Sequence, residues 1–195
     1  MSNSEADAAR HYHDATKHSY ESVRRRARPL DWARKPSPYK EYPGLLLEPL
    51  PPALDRLLRL GAGVVRRRGD YEFRTYSSAG ALYPIEVYVA TAEGLFHFDP
   101  RKLGLRRLRD EDVRGALGGG ETVLALTGIL WRTAWKYDAR GYRHLFWDAG
   151  TMLANLLELA PGEARVVTGF VDDEVNAVLG VDGIDEAALA VLQLR

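Results

Sequence analysis

Apolar and polar positions follow two regimes along the chain, irregular before residue 51 and periodic after it. Pro51 and Pro52 suit the first positions of a helix, where a missing N–H costs nothing. Leu54, Leu57 and Leu58, with Gly61 behind them, predict a short amphipathic helix there. Residues 64–67, the Gly69-Asp70 pair and residues 71–76 predict a hairpin. Ile85, Val87 and Val89 alternate along 83–90, the period of a strand with one face inward. Residues 95–98 predict a second short strand ended by Asp99-Pro100, and Asp110 is placed to cap a brief helix closed by Gly118, Gly119 and Gly120. Residues 122–130 carry no charge, the pattern of a strand buried on both faces. The longest helix is predicted over 143–160, with Leu145, Ala149, Met152, Leu153, Leu156, Leu157 and Ala160 on one stripe and Pro161-Gly162 as its stop. A strand at 166–170, a helix at 173–179 capped by Asp172, and a strand at 188–194 complete an α+β order without internal repeats.

The first 50 residues read differently. Ser4 is placed to cap a helix over 5–17 whose apolar face is thin, and Arg24, Arg25 and Arg26 follow. Pro29, Pro36, Pro38, Pro43 and Pro49 then fix φ and remove donors, which predicts an extended arm wrapped on the surface. Trp32, Tyr39 and Tyr42 are its expected anchors. The expected organisation is a helix and arm over 1–50 and one domain over 51–195.

Composition narrows the function. With 195 residues, 46% hydrophobic and 28% charged, the chain is globular rather than disordered. Twenty-seven basic residues balance 27 acidic ones, which argues against a coat for nucleic acid or an anionic membrane. Without cysteine there is no disulfide, thiolate metal site or cysteine nucleophile. No apolar run reaches the ~20 residues of a membrane span, and the first residues lack the apolar core of a secretory signal, so the expected location is cytoplasmic.

Several motifs have ordinary readings. Arg68-Gly69-Asp70 is turn chemistry. His11 and His13 would face apart on a helix, and His18 completes no tetrahedral set, so no metal is expected. Gly118–Gly120 lacks the lysine of a phosphate loop, and the arginine runs at 24–28 and 66–68 read as solvated faces. Two stretches carry more. Residues 74–88 place small hydroxylated residues and a glycine directly before a buried strand, where a flat ligand can approach the backbone. Residues 131–143 set Lys136 between Trp135 and Tyr137, a setting in which desolvation would turn a lysine toward base chemistry. A packed loop of stacked aromatics and arginines is the alternative for both.

These stretches make the chain recognisable. His11 to His18, Leu30-Asp31-Trp32, Pro38-Tyr39-Lys40, the run from Ser78 to Pro84, Phe98-Asp99-Pro100, Trp135-Lys136-Tyr137 and Gly141-Tyr142-Arg143 follow one another in order. So do Asp148-Ala149-Gly150, Ala154-Asn155 and Gly169-Phe170-Val171-Asp172. In that order they resemble the SagB-type dehydrogenase branch of the nitroreductase-like flavoprotein superfamily, and most of all the amino-terminal half of its tandem members.

The resemblance implies a mixed, mainly antiparallel sheet flanked by helices and a homodimer enclosing FMN. It also implies oxidation of azoline rings in modified peptides, or action on a related small molecule. It places Ser77, Ser78 and Gly80 along the flavin, Arg74 as the basic neighbour, and Lys136 and Tyr137 at the proton transfer. Two departures stand out. The Arg-Arg-Ser-x-Arg segment of the pattern is absent, residues 54–68 take its place, and Ser77 stands where proline is usual. Two other readings follow: a flavin-free binding or scaffold module of a peptide-modification assembly, and a generic NAD(P)H-dependent nitro or quinone reductase.

Overall fold

The computed structural model describes residues 4–24 and 29–195. The Ser4 side chain and Arg25, Arg26 and Arg28 of the basic run lie outside the described residues. Thirteen residues form α1 (Ser4–Thr16), followed by a short α2 (Tyr20–Arg24) and, after the arm, by β1 (Leu47–Pro49). The domain continues through α3 (Pro52–Ala62), the hairpin β2 (Val64–Arg68) and β3 (Tyr71–Arg74), then β4 (Ile85–Thr91), β5 (Gly94–Asp99) and β6 (Gly104–Arg109). It ends with β7 (Thr122–Ile129), α4 (Leu130–Tyr137), α5 (Gly141–Leu159), β8 (Ala164–Val167), α6 (Asp172–Leu179) and β9 (Glu186–Leu194).

Seven strands make one sheet in the order β1-β6-β5-β4-β7-β9-β8, every pair antiparallel, and β2–β3 stands apart from it. The alternation along β4 sorts two cores rather than core from solvent. Ile85, Val87 and Val89 pack with Leu54, Leu57 and Leu58 of α3 and Leu145, Met152 and Leu156 of α5. Tyr88 and Ala90 point to the opposite face, against Val175 and Leu179 of α6. Burying each of those large side chains contributes roughly 2 kcal/mol. Helices α3 and α5 approach so closely that a Cβ on Gly61 would lie 2.5 Å from Leu156 Cδ2.

Several expectations change. Residues 104–109 are a strand although three of them are arginine, because Arg106 and Arg107 reach Asp99 and Glu48 on the flanking segments. The helix expected after Asp110 shrinks to a 3-10 turn at Gly115–Leu117, since the glycines behind it give no helix to propagate. Leu157 leaves the predicted stripe and is exposed.

The arm is docked, but its anchors are mostly polar. Lys40 Nζ meets Glu186 Oε2 at 2.6 Å and Tyr88 OH at 2.7 Å, beside Tyr42 OH and the Thr127 hydroxyl. Tyr39 OH donates to Glu72 at 2.6 Å. Trp32 stays 63% exposed, edge-on to Trp135, so it anchors little. Residues 47–49 join the sheet as its edge, so the arm is also part of a layer. Among the described residues no helix is long and apolar enough to cross a membrane.

Candidate functional site

Between β3 and β4 the chain makes a loop that an ordinary sequence would resist. Gly80, Ala81 and Tyr83 have φ of 65°, 52° and 47°, a region that costs a side-chain-bearing residue of order 1 kcal/mol or more. Neighbouring groups hold this conformation. Ser78 Oγ donates to Asp148 Oδ2 at 2.5 Å and accepts from Tyr83 N at 2.9 Å, and Ala79 N donates to Asp148 Oδ1 at 3.2 Å. Further along α5, Thr151 Oγ1 donates to the Ser77 carbonyl and Asn155 Nδ2 to the Thr75 carbonyl. At the far end, Arg132 Nη1 donates to the Tyr83 carbonyl at 2.9 Å and also binds Glu86. Burial alone would raise the Glu86 carboxyl. The guanidinium of Arg132, the His97 ring and Arg74 outweigh it and bring Glu86 down to about 2.

Helix α4 delivers the second half. It starts directly from the end of β7 without a side-chain cap and carries Lys136 and Tyr137 in its last turn. The chain then reverses at Asp138, where φ is 50°, and Gly141 lets α5 start against α4, since a Cβ there would lie 2.7 Å from Ala134 N. The two expected stretches therefore meet. A Cβ built on Gly80 would lie 2.9 Å from both Lys136 Nζ and Tyr137 OH. Tyr137 leans on His144 with ring centroids 4.3 Å apart, and His144 meets Trp147 edge-on. Burial, with Arg140 and His18 adding to it, lowers the His144 pKa.

The predicted residues take different places. Gly80, Lys136 and Tyr137 converge at the surface, and Ser77 is exposed beside them. Lys136 is itself exposed rather than enclosed by its neighbours, because the turn of α4 sends Trp135 to the arm, where its indole N–H donates to the Asp31 carbonyl. Ser78 is engaged on both sides behind the surface. Arg74 is buried. Its Nη atoms donate to Pro38 O, Ile85 O and Tyr76 OH, which ties arm to sheet. Sequence reasoning does not single out Asp148, Thr151 and Asn155 as site residues. The available signal is a carboxylate at position 148 on the apolar stripe of α5, one turn from Leu145 and Met152.

An open depression of about 520 Å³ adjoins the loop, lined by Arg66, Thr75, Tyr76, Ser77 and Ser78 among others. The Thr75 hydroxyl oxygen is buried there without a hydrogen-bond partner, and Arg66 has no ion pair among the described residues.

No family model matches the chain. It is 29% identical over 147 residues to a candidate nitroreductase of Methanocaldococcus jannaschii, covering 66% of this chain and 73% of that one. It is 27% identical over 142 residues to the microcin B17-processing protein McbC of Escherichia coli, covering 60% and 52%. Among solved structures, a candidate nitroreductase of Anabaena variabilis superposes with a TM-score of 0.87 at 30% identity, over 95% of this chain and 45% of the other. The chain thus spans about half the length of McbC and of the Anabaena protein. The α+β fold, a mainly antiparallel sheet flanked by helices, is nitroreductase-like, and these relatives support a place in the nitroreductase-like superfamily.

Proposed function

We propose that this chain is an FMN-dependent oxidoreductase of the nitroreductase-like class that oxidises azoline rings in modified peptides. The observation that carries the reading is the convergence of Lys136 Nζ and Tyr137 OH on Gly80, at 2.9 Å from where a side chain would start. The glycine lets these two proton-handling groups close on the loop backbone, where in this reading they would meet a flat ring laid along residues 77–80. McbC, a microcin-processing protein, supports the peptide substrate class.

The residues present fit the cofactor. Ser77 and Gly80 offer hydroxyl and backbone groups to a ring edge, and the partnerless Thr75 hydroxyl and Arg66 line a depression that suits an anionic phosphate. Ser78 and Arg74 brace this surface from behind. Bound FMN supplies a two-electron hydride acceptor. This chain supplies the other half of ring aromatisation: the carbon-bound proton passes to the Lys136–Tyr137 pair, held against the loop by the reversal at Asp138. The hydride and that proton together account for both hydrogens the ring loses.

In this reading a second protomer completes the site. A flavin-free scaffold is the second reading, favoured by one observation: both Nη atoms of Arg74 are already bonded within the chain. Titration of the purified protein with FMN, followed by absorbance and thermal unfolding, separates the two. The flavoenzyme reading expects stabilisation that grows with FMN concentration, and no shift at saturating FMN leaves the scaffold.

A further inference from the structure

Three buried carboxylates lie near the strands around the site, and two of them face cations. Glu86 binds Arg132 and His97, and Glu186 binds Lys40. Asp148 is the exception. It is 4% exposed, sits on the apolar stripe of α5, and has no Lys, Arg or His within ion-pair distance among the described residues. Among the described residues its side chain accepts hydrogen bonds only from Ser78 Oγ and Ala79 N. A carboxylate in such a place costs stability, and alanine or leucine would suit the stripe better. What Asp148 secures is the strained turn. It holds Ser78 and Ala79, and Ser78 in turn holds Tyr83 N, so both ends of the segment with three positive φ values are pinned.

We propose that Asp148 is a positioning residue whose two hydrogen bonds keep Gly80 against Lys136 and Tyr137. What that cradle then does rests on the function proposed above; the positioning itself does not. The groups facing the carboxyl are few. Ser78 and Ala79 come from the loop. The Tyr76 hydroxyl feels its charge, with Arg74 bonded to that hydroxyl, and the α5 neighbours Leu145, Ala149 and Met152 are apolar. Burial pushes the carboxyl up to about 6, against the two hydrogen bonds. Protonation in mild acid leaves Oδ1 to accept from Ala79 N and lets the carboxyl O–H donate to Ser78 Oγ, so both contacts survive it with one of them reversed.

The test needs no flavin. Labelling of lysines with acetic anhydride, read by mass spectrometry, reports the access of Lys136 Nζ relative to the exposed Lys102 in the same molecule. The ratio cancels the general titration of lysine. In the wild type it should hold level as pH falls through about 6, because the protonated carboxyl keeps both contacts. Asp148→Ala should raise it several-fold at neutral pH. Asp148→Asn, like the protonated carboxyl, can accept from Ala79 N and donate to Ser78 Oγ, so it should keep the wild-type ratio. An unchanged ratio in Asp148→Ala, or a raised one in Asp148→Asn, overturns the proposal. Should Asp148→Ala fail to fold, Ser78→Ala breaks the same link from Asp148 to Tyr83 N. It should also raise the ratio several-fold at neutral pH, and an unchanged ratio there overturns the proposal equally. If the variants behave in this way but the wild type binds no FMN, the functional reading alone falls.

Discussion

Gly80 and Lys136, on separate elements, approach so closely that any Cβ at position 80 would lie 2.9 Å from the lysine Nζ. Nothing in either local sequence announces this contact. It arises because the loop after β3 turns through left-handed backbone toward the last turn of α4.

Gly80→Ala should therefore act in two ways. Holding an alanine at φ 65° costs about 1 kcal/mol. The methyl must also displace Lys136 Nζ, which can swing away, and Tyr137 OH, which is fixed to a ring packed on His144. The expected result is a modest fall in thermal stability and a larger loss of FMN affinity, read by melting and by flavin titration. Unchanged affinity would mean that the ligand does not approach this face of the loop.

Parts of this arrangement are legible in the sequence. The alternation in β4, the uncharged run of β7 and the stripe of α5 are signals of burial, and the structure bears them out with small shifts of boundary. Strand β6 escapes such a reading because Arg106, Arg107 and Arg109 hide its pattern, and the carboxylate partners of the first two come from other segments. Helix α4 escapes it because the helix is eight residues long, uncapped, and continues straight from a strand. The link from Asp148 to Ser78 depends on tertiary packing, which periodicity cannot report. The nearness of the two motif stretches comes only from the resemblance and from the fold itself.

The stability of the protein should depend on Asp148 in an unusual direction. Its carboxyl titrates near 6 when folded and near 3.8 when unfolded, so between those values the folded state holds more protons. This group's contribution is then full below about 3.8 and is lost as pH rises through about 6. Asp148→Asn removes the ionisation and keeps the shape, so it should raise stability at neutral pH by roughly 3 kcal/mol and flatten the curve between those values. Denaturant unfolding of both proteins across this range checks the sign. A variant less stable than the wild type at neutral pH would mean that the charged form is favoured.

Lys136→Met should separate chemistry from binding. Lys136 is exposed and buries little, so the fold and flavin content should be unchanged, while azoline oxidation falls by about 10²–10⁴, the range for a lost general base. Single-turnover oxidation of an azoline peptide, with flavin content measured on the same sample, gives both readouts. Loss of flavin or of folding would make the lysine structural.

Assembly follows from what α5 leaves uncovered. Tyr142, Phe146 and Trp147 are 45%, 46% and 51% exposed on the side away from the Leu145–Leu156 core, and Ile184 is 81% exposed across a groove of about 650 Å³ that Tyr142 and Phe146 also line. The arm could have covered this side, but it does so only at one end. There Tyr12 of α1 meets Tyr142 edge-on at 5.8 Å, and the Arg143 guanidinium bonds Thr16 and His13. Four large apolar side chains left open on one flank favour a partner, and a two-fold copy of the same chain is the commonest one. An interface of the obligate class would bury on the order of 2,000 Å² or more, enough to persist at micromolar concentration. Sedimentation should therefore find a dimer, and Phe146→Arg, which puts a charge into the centre of the patch, should shift it to monomer without unfolding it. A wild type that stays monomeric at high concentration with FMN present removes the two-protomer site. The exposed flank would then belong to a different chain, and the flavin-free scaffold would become the better reading of the fold.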